Sequence, residues 1–194
     1  MALVGAKLDP VEVAFFNDFK SATSGSSMWN SLSIYDGICL DSKWTSKYVV
    51  CNALKTNIVE LIIENEDLTG SIPSSIQYLT LLSIIRLSDN MITSIPTTLA
   101  SLPSLTFLDL GTNSMSGTIP TQLGRLSRLQ VLYLDSNRFE GNIPSQFVNL
   151  TSLTSLGVDN NQLSGYIPSF LSSLPIIYLD ISVNQFSGAL PEPL

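Results

Sequence analysis

In this chain the side chains able to do acid–base work are carboxylates, because histidine is absent. That absence removes every Ser–His and Cys–His nucleophile arrangement and the commonest neutral metal ligand. Asp109 with Asp135, or Asp135 with Asp159, would make the paired acids that glycoside hydrolysis requires. Such a pair works only in a pocket that lifts the pKa of one member, whereas an open strand surface is wet on every side. Cys39 and Cys51 cannot alone supply the four ligands of a structural zinc site, and a single disulfide is the simpler use for them. No cofactor and no metal are expected.

What must position these residues is a repeat. Pro73, Pro96, Pro120, Pro144, Pro168 and Pro191 each follow Ile or Leu, at spacings of 23, 24, 24, 24 and 23 residues. The pattern Leu126-x-x-Leu129-x-x-Leu132-x-Leu134-x-x-Asn137-x-Phe139-x-Gly141-x-Ile143-Pro144 recurs around Asn113, Asn161 and Asn184. Pairs such as Leu108/Leu110, Leu132/Leu134 and Leu156/Val158 alternate with period two, as a strand with one buried face requires. One short strand per repeat is predicted, and strands that return in one direction at this period must stack in parallel. Asn90, Asn113, Asn137, Asn161 and Asn184 fall just after the strands, where a buried amide can satisfy backbone groups of the turning chain. All of these residues are scaffold.

Residues between the paired leucines face the other way and are free of the stacking requirement. One column reads Glu60, Ile84, Phe107, Val131, Ser155 and Tyr178; the next reads Ile62, Arg86, Asp109, Tyr133, Gly157 and Asp180. A third, just past the strands, reads Glu64, Ser88, Gly111, Asp135, Asp159 and Ser182. With strands about 4.7–4.9 Å apart, Ile84, Phe107 and Val131 would form an exposed apolar strip bordered by Asp109, Tyr133 and Asp135. Ile84, Phe107, Asp109, Val131, Tyr133, Asp135, Asp159, Tyr178 and Asp180 are therefore the candidate ligand-binding residues.

Asn137-x-Phe139-x-Gly141-x-Ile143-Pro144 and its relatives, including Leu68-x-Gly70-x-Ile72-Pro73, resemble the plant-type leucine-rich repeat of receptor-kinase ectodomains and polygalacturonase-inhibiting proteins. The resemblance implies an α/β fold: a right-handed solenoid curved like a horseshoe, with a parallel sheet on the concave face and a helical N-terminal cap. Residues 1–56 are expected to be the cap and 57–194 six repeats. In the cap, Asp9-Pro10-Val11-Glu12 reads as an N-cap, a first-turn proline and an acidic third position ahead of Val13, Phe15, Phe16 and Phe19. A Gly/Ser loop from Ser21 to Ser27, Trp29, then Cys39, Trp44 and Cys51 echo that family's Trp and Cys-Trp-Cys cluster, which implies a Cys39–Cys51 disulfide. Eleven residues separate the two cysteines, more than is usual there, so a remodelled loop is expected. The chain also departs from the pattern at Glu66, which replaces the ladder asparagine, and at Ser94, where glycine is usual.

A chain that is 44% hydrophobic and 13% charged has enough apolar material for one continuous core. With 16 acidic against 9 basic side chains it has no general attraction for nucleic acid or anionic lipid, and a protein or peptide with a basic surface is the easier partner. The opening seven residues hold too short an apolar run for a signal peptide, and no membrane-length segment follows, so no membrane insertion is expected and a secreted form would have lost its signal. The disulfide and the sequon Asn149-Leu150-Thr151, a glycosylation candidate, both point to an extracellular or cell-surface location. The expected function is recognition through the concave face, in the manner of a receptor ectodomain. A free-standing inhibitor of a secreted enzyme such as a polygalacturonase is the alternative, and a carboxylate-based glycosidase the remote one.

Overall fold

The computed structural model describes residues 8–24, 38–40, 45, 47–189 and 191. Trp29, Trp44, Leu190 and the Gly/Ser loop beyond Ser24 lie outside the described residues. The chain opens with a helix, Pro10–Ala22, started as expected: the Asp9 carboxylate accepts the Val11 N–H at 3.0 Å and Pro10 fills the first turn. Phe15, Phe16 and Phe19 are fully buried, and the helix lies against the first return turn, Ser74–Tyr78. It continues to Ala22, past the predicted loop start, and Thr23–Ser24 then pairs antiparallel with Thr69–Gly70.

Glu12 does something the local pattern does not announce. Its side chain is 1% exposed and reaches out of the helix to the first repeat, accepting the Ile58 N–H at 3.0 Å and the Asn57 amide at 3.2 Å. Burial pushes its carboxyl up to about 7, despite the hydrogen bonds from Ile58 and Asn57 that favour the charged form.

Seven strands form the main sheet. Val49–Cys51 lies antiparallel at one edge against Ile58–Ile62; parallel to that follow Ile84–Arg86, Phe107–Asp109, Val131–Tyr133, Ser155–Gly157 and Tyr178–Asp180. Register is in step along the six parallel strands, the shift between Val50 and Cys51 being confined to the antiparallel edge: Glu60, Ile84, Phe107, Val131, Ser155 and Tyr178 are successive partners, so the predicted columns are columns of the structure. Leu61, Ile85, Leu108, Leu132 and Leu156 between them are fully buried, and each such side chain contributes about 1.5–3 kcal/mol. The Cys39–Cys51 disulfide, with Cα atoms 5.8 Å apart, staples the turn Ile38–Leu40 to the antiparallel edge strand. In the chain-entropy picture a loop of this size contributes about 3 kcal/mol.

Two features go beyond one strand per repeat. A second parallel sheet runs along the side of the solenoid through Ser116–Thr118, Arg138–Gly141, Gln162–Tyr166 and Gln185–Ser187. The return segments are single 3₁₀ turns of five residues, each begun by one of the periodic prolines. The compact return follows from a period of 23 or 24 residues, which leaves no room for a full helix.

The asparagine ladder runs unbroken from Asn90 to Asn184. Asn137 donates to the carbonyls of Leu134 and Asp135 in its own repeat and of Leu110 in the preceding one, while its oxygen accepts the Met115 N–H. Asn90, Asn113, Asn161 and Asn184 repeat the arrangement. The residue before each ladder position is left-handed: Asn65, Asp89, Thr112, Ser136, Asn160 and Val183 have φ between 48° and 56°. Asn and Asp tolerate this region, but Thr112 and Val183 are β-branched and strained there. Glu66, at the ladder position of the first repeat, instead meets Lys47 and Tyr48 of the cap. The exchange trades an internal amide for a cap contact. Among the described residues no helix is long and apolar enough to cross a membrane.

Candidate functional site

A line of rings crosses the main sheet. The Arg86 guanidinium sits 4.7 Å over the Phe107 ring, Phe107 meets Tyr133 edge-on at 6.1 Å, and Tyr133 meets Tyr178 edge-on at 6.2 Å. Edge-to-face pairs at this distance are favourable in themselves, and the cation over Phe107 gains from the ring's negative face. Tyr133 and Tyr178 are on strands that are not adjacent; Ser155–Gly157 lies between them. Gly157 makes the contact possible, since a Cβ there would stand 3.0 Å from the Tyr133 ring. A lone glycine in a strand often marks such a close approach.

Carboxylates run beside the rings. Asp109 accepts the Gly111 N–H at 3.0 Å, and the Asp135 carboxylate lies where a side chain at Gly111 would be, 2.7 Å from the position of its Cβ. Burial raises the Asp109 carboxyl above its ordinary value, helped by repulsion from Asp135 and Glu64 and opposed by Gly111 and Arg86. Burial raises Asp135 as well, with repulsion from Asp159 next. Asp180 moves the other way, held down by hydrogen bonds from the Ser182 hydroxyl at 2.6 Å and N–H at 3.0 Å. Asp159 accepts the Asn160 amide at 2.7 Å.

Tyr133, Asp135, Gly157, Asp159, Tyr178 and Asp180 line one open bay of about 230 Å³. Of the predicted residues, Tyr133, Asp135, Asp159, Tyr178 and Asp180 thus come together, with Phe107 and Asp109 one strand to the side. Ile84, Phe107 and Val131 are adjacent but each is half-buried. The expected open apolar strip is a partly covered one, because Arg86 folds over Phe107. Arg86 and Gly157 are the members that pattern reasoning did not single out. Asn149 and Thr151 of the sequon are exposed at the return turn Ser145–Asn149, away from the sheet.

Comparison with known proteins agrees with this architecture. Two "Leucine Rich Repeat" family models match, one over residues 56–115 and another over 128–150 and 152–174. No curated protein matches the chain. Among solved structures, the BIR2 ectodomain from Arabidopsis thaliana is 32% identical, with 97% of each chain covered and a TM-score of 0.80. The leucine-rich-repeat ectodomain of the receptor kinase SOBIR1, also from Arabidopsis thaliana, is 26% identical over 95% of this chain and 100% of that one, with a TM-score of 0.76. The plant peptide hormone receptor RGFR1, solved in complex with RGF2, is 39% identical over 63% of this chain, TM-score 0.61, and the matched part is 20% of that receptor. The chain spans about a fifth of that receptor but nearly the whole of the BIR2 and SOBIR1 ectodomains. The chain belongs to the leucine-rich-repeat family, in the plant type carried by receptor-kinase ectodomains.

Proposed function

We propose that the chain is an extracellular recognition module that binds a protein or peptide with a basic surface through its concave face. The observation that carries this reading is the line Arg86–Phe107–Tyr133–Tyr178 with its row of aspartates. None of these side chains is needed to stack repeats, and aromatic anchors rimmed by polar groups are what binding surfaces concentrate. A similar chain, RGFR1, was solved with RGF2, and another, PEPR1, with AtPEP1, which favours a peptide or protein ligand. The raised carboxyls of Asp109 and Asp135 do not favour turnover, because Asp135 lines a bay open to water, Asp109 lies one strand to its side, and an acid pair needs enclosure.

A randomised peptide library selected on the immobilised chain tests the reading. Selected peptides are expected to be basic, and Phe107→Ala with Tyr133→Ala should weaken them by thirtyfold or more, equivalent to about 2 kcal/mol. Unchanged affinity in the double variant, with the fold intact by circular dichroism, would move the site to the convex or lateral surface. Extracellular placement further implies a glycan at Asn149. Intact-mass analysis of protein secreted from plant cells should show it, and Asn149→Gln should remove it.

A further inference from the structure

We infer that the bay between Tyr133 and Tyr178 receives the guanidinium of an arginine side chain presented by an extended peptide. The inference rests on the concave sheet being the ligand face and names what the bay on it recognises.

The line of rings is asymmetric in charge. At one end the chain supplies its own cation, Arg86, stacked over Phe107 with Asp109 nearby. At the other end are two rings, three carboxylates from Asp135, Asp159 and Asp180, and an opening floored by Gly157. Among the described residues the carboxylates of Asp135, Asp159 and Asp180 have no ion-pair partner, whereas Glu66 at the cap is paired with Lys47. Asp159 and Asp180 are oriented by neutral donors, Asn160 and Ser182, which fix direction without neutralising charge. The Arg86–Phe107 stack is thus an internal example of the contact that the far end is shaped to make but does not contain.

Guanidinium suits this place better than ammonium does. Its plane can lie on a ring while its edge presents paired N–H donors to carboxylates, whereas an ammonium is a compact, strongly hydrated charge. Gly157 leaves the depth for it: any side chain there would meet the Tyr133 ring. A bound cation would also relieve the repulsion between Asp135 and Asp159.

The probe is acetyl-Gly-Arg-Gly-amide, titrated into the isotopically labelled 194-residue chain and followed by amide chemical shifts. Saturable shifts centred on Gly157, Asp159 and Asp180 are expected. The citrulline peptide, of the same shape without charge, should bind at least tenfold more weakly, and the lysine peptide at least threefold more weakly. Gly157→Val should abolish the response. Tyr178→Leu, at a position that is 49% exposed and carries little folding risk, and Asp159→Asn should each weaken it at least threefold. Equal binding of the citrulline peptide, shifts centred elsewhere, or indifference to Tyr178→Leu would overturn the inference. A library-selected peptide that depends on Phe107 yet ignores Tyr178→Leu and Asp159→Asn would overturn the arginine bay while leaving the concave face as the ligand surface.

Discussion

Glu12 in the cap and the Asp109–Asp135 pair on the concave sheet are carboxylates under the same pressure, answered in opposite ways. Burial raises all three. At the cap junction the answer is hydrogen bonding: a backbone N–H and an asparagine amide close on Glu12, offsetting part of the burial that holds its carboxyl up to about 7, and repulsion from Asp9 adds little. On the concave sheet the answer is partial, since Gly111 donates to Asp109 but the neighbouring acids repel one another and water is one step away. A buried acid surrounded by donors joins two parts of a fold. A row of half-buried acids left crowded has charge to offer to something else.

The largest test of that contrast is removal of the joining group. Glu12→Ala strands the Ile58 N–H in a dry junction and should lower the unfolding free energy by about 2–3 kcal/mol, read from urea denaturation near pH 4.5, where the contribution of Glu12 is largest. Peptide binding at the concave face should be unaffected in the folded protein. A loss below about 0.5 kcal/mol would mean that the cap is held by its phenylalanines alone.

The pH dependence sharpens the comparison. Glu12 has its ordinary value of 4.5 when unfolded and about 7 when folded, so the native state holds the proton more tightly. Its contribution to stability is then fully present below pH 4.5 and is lost as pH rises through 7, a fall of about 3 kcal/mol. Glu12→Gln should flatten most of that slope, leaving a remainder of the same sign from Asp109 and Asp135. Binding of a cationic peptide should run in the reverse sense, weakening as acid protonates the concave carboxylates. Acid would therefore steady the fold while emptying the site, and a common direction for both curves would break the distinction.

The smallest expected effect has the opposite sign to the first. Asp109→Asn keeps an acceptor for the Gly111 N–H and removes a crowded charge, so stability should rise by about 0.5 kcal/mol or less after solvent screening. Affinity for the arginine peptide should fall. Destabilisation instead would show that the Asp109 charge belongs to the scaffold.

The two regions also differ in what the amino-acid order discloses. The helix start at Asp9-Pro10 is legible because its partners are two residues apart, whereas the partners of Glu12 lie 45 and 46 positions away. The concave columns are legible because period two and period 23 or 24 together fix which residues are neighbours. The Arg86–Phe107 stack and the Tyr133–Tyr178 contact are diagonal or skip a strand, and depend on how far a side chain leans, which spacing does not encode. The second sheet escapes pattern reading because segments such as Ser116-Gly117-Thr118 carry no apolar alternation. They are strands because their neighbours above and below are.

The asparagine ladder has a direction. Each amide closes backbone groups in its own repeat and in the one before it, never in the one after. A repeat leaving the ribosome therefore remains unfinished until its successor arrives with the next asparagine. Growth of the solenoid is in that sense vectorial, each turn sealed from behind, and fraying should travel back from the C-terminal side one asparagine at a time, as expected where neighbours alone hold neighbours.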